Sequence, residues 1–125
     1  VALEILVKAP GCDVNQADNC GMTPAFIAAQ KGQTAALALL VKAPGCDVNQ
    51  ATEKDGMTLA HVAAAYGQRE ALELLIKSGC DGNRAMDNGR TPAHVAAYHG
   101  HTAALKVLVE AGCDVNQADN GGETP

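Results

Sequence analysis

One short block of sequence occurs four times along the chain and constrains its architecture. GCDVNQA begins at Gly11 and again at Gly45, GCDGNRA begins at Gly79, and GCDVNQAD begins at Gly112. The asparagines of these blocks recur at intervals of 34, 34 and 33 residues. A fixed period near 33 residues predicts a solenoid, in which each unit packs only against its neighbours and no single closed core forms.

Each period carries the signals of two short helices. Thr23-Pro24 begins the first helix well, because threonine can cap free amide groups and proline suits the first helical position. A glycine then ends this helix, a second helix follows directly, and polar connections between units should form turns and short hairpins. The expected helices are 24–31 and about 33–42, and the same pair is expected at 58–77 and 91–110, with breaks at Gly32, Gly67 and Gly100.

The two ends of the chain hold parts of units. Residues 1–9, VALEILVKA, match the second helix of a later unit at 35–43, AALALLVKA, so the chain is expected to begin within a repeat and to be a window on a longer array. We expect one repeat domain over 1–125. Its expected divisions are a truncated first repeat at 1–16, three repeats at 17–50, 51–84 and 85–117, and the start of a truncated last repeat at 118–125.

Composition narrows the functional classes. The net charge is −5 at pH 7 and the isoelectric point is about 5.2, whereas phosphate contacts need clustered lysine and arginine, so no nucleic-acid partner is expected. No apolar run approaches the ~18 residues that span a membrane, and no membrane insertion is expected. Aromatic residues make up 2 % of the chain, so thin helix layers of alanine, leucine and valine must close the core.

Four of the five cysteines occupy one position in successive units. Stacked repeats place equivalent atoms roughly 10 Å apart, beyond the ~7 Å limit on Cα separation for a disulfide, and no C-x-x-C pair begins a zinc site. We interpret these four as small buried apolar residues, and Cys20, in an expected turn, as more exposed. Unpaired thiols indicate a reducing compartment, so an intracellular, cytoplasmic location is expected. The four are Cys12, Cys46, Cys80 and Cys113.

Three nine-residue motifs reveal a family resemblance. They are GMTPAFIAA at 21–29, GMTLAHVAA at 56–64 and GRTPAHVAA at 89–97, with the G-C-D-V-N blocks between them. Together they resemble the ankyrin repeat family over essentially the whole chain. The resemblance implies an all-α solenoid of stacked helix-turn-helix units joined by β-hairpin-like finger loops. It also implies protein–protein binding by a concave groove, formed by finger tips and first helices.

Some positions depart from the family's pattern. Alanine replaces the family's leucine in every motif, which reduces the buried apolar area and should lower stability unless the helices pack closer. Leu59 replaces proline and loses a preset helix start, and Phe26 replaces histidine. Gly82 replaces the hairpin valine, and we expect it to loosen that finger. The substituted alanines are Ala25, Ala60 and Ala93.

The histidines do not predict a metal site. By resemblance, His61 and His94 are structural rings that bond backbone or side chains between adjacent repeats, and they lie in successive layers rather than converging. His101 occupies the position of Gln33 and Gln68, and a position that accepts either residue type indicates a hydrogen bond. Carboxylates recur singly, and no nucleophile motif or phosphate loop is present. We therefore expect no enzymatic activity, no cofactor, no metal and no small-molecule substrate.

The residues that differ between copies are the candidate binding residues. They fall at the finger tips and at the C-terminal end of each first helix, which by resemblance line the concave groove. Both tyrosines belong to this set, and exposed tyrosine and methionine favour binding hot spots. The alternative, that the rings only cover neighbouring apolar side chains, stays open. The set is Asn19, Cys20, Met22, Gln30, Lys31, Lys54, Asp55, Met57, Tyr66, Asp87, Asn88, Arg90, Tyr98, His99 and Glu123.

Three interpretations of function are open at this point. The first is a non-enzymatic interaction module for an unidentified partner protein, with an apolar groove centre at Met22, Met57, Tyr66 and Tyr98 and mixed charge around it. The second is a structural spacer or regulatory arm of a larger multidomain protein. The third is a consensus-like engineered scaffold. The family's hydroxylation of hairpin asparagines would concern Asn15, Asn49, Asn83 and Asn116, and the sequence does not test it.

Overall fold

Six α-helices account for most of the described chain. The computed structural model describes residues 23–43, 48–49, 51–52, 55–115, 119–123 and 125. The helices are α1 (Pro24–Lys31), α2 (Thr34–Lys42), α3 (Leu59–Ala65), α4 (Arg69–Lys77), α5 (Pro92–Tyr98) and α6 (Thr102–Glu110). Their bounds match the expected ones to within one residue. The helix expected at 1–9 lies outside the described residues, and none of the described helices is long and apolar enough to cross a bilayer.

The helices stack in two layers. α1 packs against α2, α3 against α4, and α5 against α6. α3 also lies between α1 and α5, while α4 lies between α2 and α6. The first helices of the three pairs therefore form one layer and the second helices form the other, which confirms the all-α repeat solenoid.

Alanine and leucine fill the space between these layers. In α3, Ala63 and Ala64 are fully buried, and in α4 so are Leu72 and Leu75. Each fully buried leucine contributes roughly 1.5–3 kcal/mol relative to an exposed one. The alanines that replace the family's leucine are all buried as well, so small side chains close the layers without a large ring in each unit. These alanines are Ala25, Ala60 and Ala93.

Each first helix begins at a threonine cap. In all three, the threonine Oγ1 accepts a hydrogen bond from the backbone N–H three residues later. At Thr58 the cap is reciprocal, because the Thr58 N–H donates to Nδ1 of His61. This second bond supports the start of α3, where Leu59 stands in place of proline. The three caps are Thr23, Thr58 and Thr91.

The turns within the first two described helix pairs need glycine for two reasons. Gly67 has a φ of +65°, in the left-handed region that other residues adopt at a cost of about 1–2 kcal/mol. A Cβ on Gly67 would also lie 2.6 Å from Nδ1 of His101 in the next repeat. A Cβ on Gly32 would collide with the side chain of Gln68 in the same way.

Backbone hydrogen bonds close the fingers and join them to one another. Within a finger, the N–H of Met86 donates to the carbonyl of Arg90, and the N–H of Asp119 donates to the carbonyl of Glu123. The described residues contain no assigned strand, so these are hairpins without strand pairing. Neighbouring finger tips are joined from Asp87 N–H to Asp55 O and from Asn120 N–H to Asn88 O.

Gly82 makes room for a side chain of the next repeat. A Cβ at this position would collide with Sγ of Cys113. The glycine that replaces the hairpin valine therefore has a steric reason in this stack. The expected loosening of its finger stays a prediction.

Candidate functional site

The motif histidines connect each repeat to the next finger. Nε2 of His61 donates to the carbonyl of Arg90 at 2.9 Å, and Nε2 of His94 donates to the carbonyl of Glu123 at 2.8 Å. In each ring Nδ1 accepts from a backbone N–H, so Nε2 is the nitrogen that carries a proton and donates. This geometry confirms the structural role that the resemblance implied.

Burial sets the protonation state of His61. The ring is fully buried, and burial lowers the pKa of His61 to about 4 because the charged form loses its hydration. The hydrogen bond to the Arg90 carbonyl opposes this shift, and the charge of Arg84 adds a smaller effect in the same direction as burial. His61 is therefore neutral at physiological pH.

A second set of hydrogen bonds links the residue before a second helix to the first helix of the preceding repeat. Nε2 of Gln68 donates to the carbonyl of Gln30 at 3.0 Å, and Nε2 of His101 donates to the carbonyl of Ala65 at 3.0 Å. The two carbonyls occupy equivalent positions in successive repeats. The prediction that a glutamine or a histidine here makes a hydrogen bond is confirmed.

The hairpin asparagines form a third connection between repeats. Oδ1 of Asn49 accepts from the N–H of Asp81 at 2.6 Å, and Oδ1 of Asn83 accepts from the N–H of Asp114 at 2.7 Å. These amides therefore hold the base of one finger against the next. Asn15 and Asn116 lie outside the described residues.

The candidate binding residues divide by exposure. Asn19, Cys20, Met22 and Lys54 lie outside the described residues. Gln30, Met57 and Arg90 are half-buried. The exposed members are Lys31, Asp55, Tyr66, Asp87, Asn88, Tyr98, His99 and Glu123.

Three members of the set also hold the scaffold together. Met57 packs against the buried core, so only part of it is available at the surface. The carbonyl of Gln30 accepts the Gln68 side chain. Oδ1 of Asn88 accepts from the N–H of Arg90 at 3.0 Å, which shapes the finger tip.

The two tyrosines are surface rings, as expected. Tyr66 is 53 % exposed and Tyr98 is 73 % exposed. Other large apolar side chains exposed in the described chain are Ile27 in α1 and Val109 in α6. Tyr66 follows the end of α3 and Tyr98 ends α5, so neighbouring repeats each place one ring at the end of a first helix.

The third repeat brings several candidates into one cluster. The Arg90 guanidinium lies over the Tyr98 ring, 5.3 Å from its centroid. The Tyr98 ring meets His99 edge to face at 5.1 Å, and His99 stacks on His101 at 6.0 Å. A finger and the end of α5 thus form one continuous surface. We call the described finger tips and first-helix ends from Asp55 onward the finger–helix surface, comprising Asp55, Tyr66, Asp87, Asn88, Arg90, Tyr98, His99 and Glu123.

Arg90 pairs with two carboxylates of the last finger. Its Nε lies 3.4 Å from Oδ2 of Asp119, and its Nη2 lies 3.7 Å from Oε2 of Glu123. The Asp119 side chain is 7 % exposed, whereas that of Glu123 is 74 % exposed. The N–H of Glu123, more than the N–H of Gly121 or Arg90 itself, lowers the pKa of Asp119. Asp119 is therefore the closer and more buried partner of Arg90, and Glu123 is the more distant and more exposed one.

A pocket of about 230 Å³ opens beside this cluster. Sequence reasoning missed three of its residues, His94, Ala97 and Pro125, because the repeat period does not give the angle at which a finger meets the helix end. One signal for the contact with Arg90 was present in the sequence. Asp119, 29 residues after Arg90, is a carboxylate at the position that Met86 occupies in the preceding finger. The pocket is lined by Arg90, His94, Ala97, Tyr98, Glu123 and Pro125.

The described cysteines are free thiols. Cys80 and Cys113 are half-buried and pack against the core. Burial raises the pKa of Cys80 to about 11, and the nearby Cys113 and Asp81 add to this effect. Burial likewise raises the pKa of Cys113. Within the described ranges no three histidine, cysteine or acidic side chains are grouped to hold a metal ion, and Cys12, Cys20 and Cys46 lie outside them.

Comparison with known proteins covers nearly the whole chain. Residues 2–86 match a family model described as ankyrin repeats (3 copies). Residues 80–125 match a second family model described as ankyrin repeats (many copies). No curated protein matches the chain.

Proposed function

Since the chain belongs to the ankyrin repeat family, whose repeats are generally protein–protein interaction modules, we propose that it is a non-enzymatic module that binds a partner protein through the finger–helix surface. The exposure of Tyr66 and Tyr98 carries this proposal. Both rings stand at first-helix ends, although buried alanine and leucine already close the core and the stack does not need a ring there. A tyrosine that the fold does not bury is the kind of anchor that dominates binding energy at interfaces.

The scaffold around these rings favours rigid presentation. Three kinds of side-chain hydrogen bond connect neighbouring repeats, through His61 and His94, through Gln68 and His101, and through Asn49 and Asn83. A surface fixed in this way loses little conformational freedom on binding, which improves affinity. A specific partner should bury on the order of 1,200–2,000 Å² in total.

Paired capture experiments with the full 125-residue chain test the proposal. Tyr66→Ala with Tyr98→Ala removes both rings, and Lys106→Ala with Glu110→Ala is a charge-neutral control on the exposed side of α6. We expect at least one protein to be retained by the wild-type chain and the α6 control and lost by the tyrosine variant. If every protein retained by the wild-type chain is also retained by the tyrosine variant, the proposed site is wrong.

We further propose that the protein works in a reducing, intracellular compartment. The free thiols Cys80 and Cys113 support this, because half-buried unpaired cysteines are typical of proteins kept in reducing surroundings. Thiol counting on the protein isolated from its source under acid quench checks it. Disulfide-linked Cys80 or Cys113 in that material would contradict the proposal.

A further inference from the structure

We propose that the partner segment is basic, and that it places a lysine or arginine side chain in the pocket beside Tyr98. This inference rests on the proposed function, because it names the chemistry of the partner that the finger–helix surface receives. Its evidence is the distribution of charge, the pairing of Arg90 and the exposure of Glu123 and Tyr98.

From Asp55 onward, the fingers and first helices carry more negative charge than the second helices. The second helices α4 and α6 carry three cations and three carboxylates, so they are neutral overall. Residues 55–67, 86–99 and 119–123, which hold the fingers and first helices, carry four carboxylates and one guanidinium, a net charge of −3. This count leaves out Lys31, which lies in the preceding repeat. It also leaves out Glu53 and Lys54, which lie outside the described residues and have opposite charges. The four carboxylates are Asp55, Asp87, Asp119 and Glu123.

The one guanidinium of this surface is not open to an acidic partner. Arg90 has its Nε on Asp119 and its Nη2 towards Glu123, and its Cζ lies over the Tyr98 ring. A third carboxylate brought to Arg90 would face both of these acids and be repelled. Arg84, the remaining cation of the described loops, donates its Nη1 to the carbonyl of Asn49 at 2.7 Å. An acidic or phosphorylated segment therefore has no cation here that is free of a partner.

The pocket itself suits a cation with an apolar stem. Glu123 supplies a carboxylate that is held only at 3.7 Å by Arg90 and is largely exposed. Ala97 and the Tyr98 ring supply apolar surface, and the buried His94 also lines the pocket. Lysine and arginine match this combination, because their methylene stems cover apolar surface while the charged end remains near solvent and a carboxylate.

Three matched series of fluorescent twelve-residue peptides test the inference on the full chain. They share the same apolar residues and differ in carrying lysine and arginine, aspartate and glutamate, or serine and glutamine. Binding is measured by anisotropy at about 50 mM and about 300 mM salt, since exposed charge interactions weaken with screening. The variant Asp87→Asn with Glu123→Gln is compared with Glu70→Gln with Glu110→Gln, which removes the same charge from the second helices.

We expect the basic series to bind best, with affinity reduced about fivefold by the finger variant and less than twofold by the second-helix control. Equal weakening by both variants would show that only net charge matters and would overturn the inference. Stronger binding of the acidic or neutral series, or no binding by any series, would overturn it as well. If an acidic or neutral series binds the wild-type chain but not the Tyr66→Ala, Tyr98→Ala variant, the proposed function is kept and only the basic partner is ruled out. If its binding is unchanged in that variant, the proposed function and the basic partner are both wrong.

Discussion

Acid should destabilise this solenoid through one buried ring. The pKa of His61 is about 4 in the folded chain and about 6.5 when the chain is unfolded, so the unfolded state binds the proton more tightly. The neutral ring therefore contributes stability that is present above pH 6.5 and is lost as pH falls towards 4. Between pH 7 and pH 4.5 this linkage amounts to about 2 kcal/mol. The two pH values lie on either side of the isoelectric point of about 5.2, which is the pH at which solubility is poorest.

His61→Phe is the matched substitution, because Phe26 fills the equivalent position of the preceding repeat and is buried there. The variant should be less stable at pH 7 by about 1–3 kcal/mol, since Thr58 loses its acceptor. The Arg90 carbonyl keeps its bond from the N–H of Met86. Acidification should then cost the variant about 2 kcal/mol less than the wild-type chain, so the two stabilities converge.

Urea unfolding followed by far-ultraviolet circular dichroism, at both pH values and for both chains, measures this difference. The carboxylates titrate in both chains, so their contribution cancels in the double difference. An NMR titration of the His61 ring provides a direct check. Equal loss of stability in the two chains, or a ring that titrates near pH 6.5 in the folded protein, would refute the reasoning.

Further predictions concern the turns, the caps and the thiols. Gly67→Ala should destabilise the chain by at least about 1–2 kcal/mol, measured by urea midpoint, because its φ is positive and its Cβ would press on His101; no change would contradict the assigned turn. Thr91→Ala should cost about 0.5–2 kcal/mol through the lost cap, whereas Thr102→Ala, exposed at the start of α6, should cost less; similar costs would argue against the cap. Cys80 should react with iodoacetamide about 100-fold more slowly in the folded chain than in urea at pH 7.5, because its pKa is about 11 rather than 9. Peptide mass spectrometry measures the reaction rate, and equal rates in the two states would show that the thiol is not buried.

The helices were predictable because their signals are local. Thr23 and Pro24 mark a start and Gly32 marks an end within a few residues, and these signals act through backbone geometry that no distant contact overrides. The bond made by His101 was predictable for a related reason. Its equivalence to Gln68 shows which chemical property the position requires, even though the acceptor was not identifiable.

The cluster around Arg90 was not predictable in this way. Its three partners come from the end of α5 and from the last finger, and their meeting depends on the angle between fingers and helices, which the period does not encode. Met57 illustrates the same limit. Its place at a finger tip suggested a surface anchor, yet the residue turns partly towards the core. The direction of a side chain at the finish of a hairpin is decided by packing rather than by spacing.

The hydrogen bonds between repeats have a consequence for how such a chain changes over generations. Each joins positions 29 to 38 residues apart, one repeat to the next, and the same bond recurs with different residues, as glutamine and histidine show. Duplication or deletion of one whole period in the gene would leave every surviving unit beside a neighbour that offers the same carbonyls and amides. The array can therefore lengthen or shorten by unequal exchange without a new packing solution.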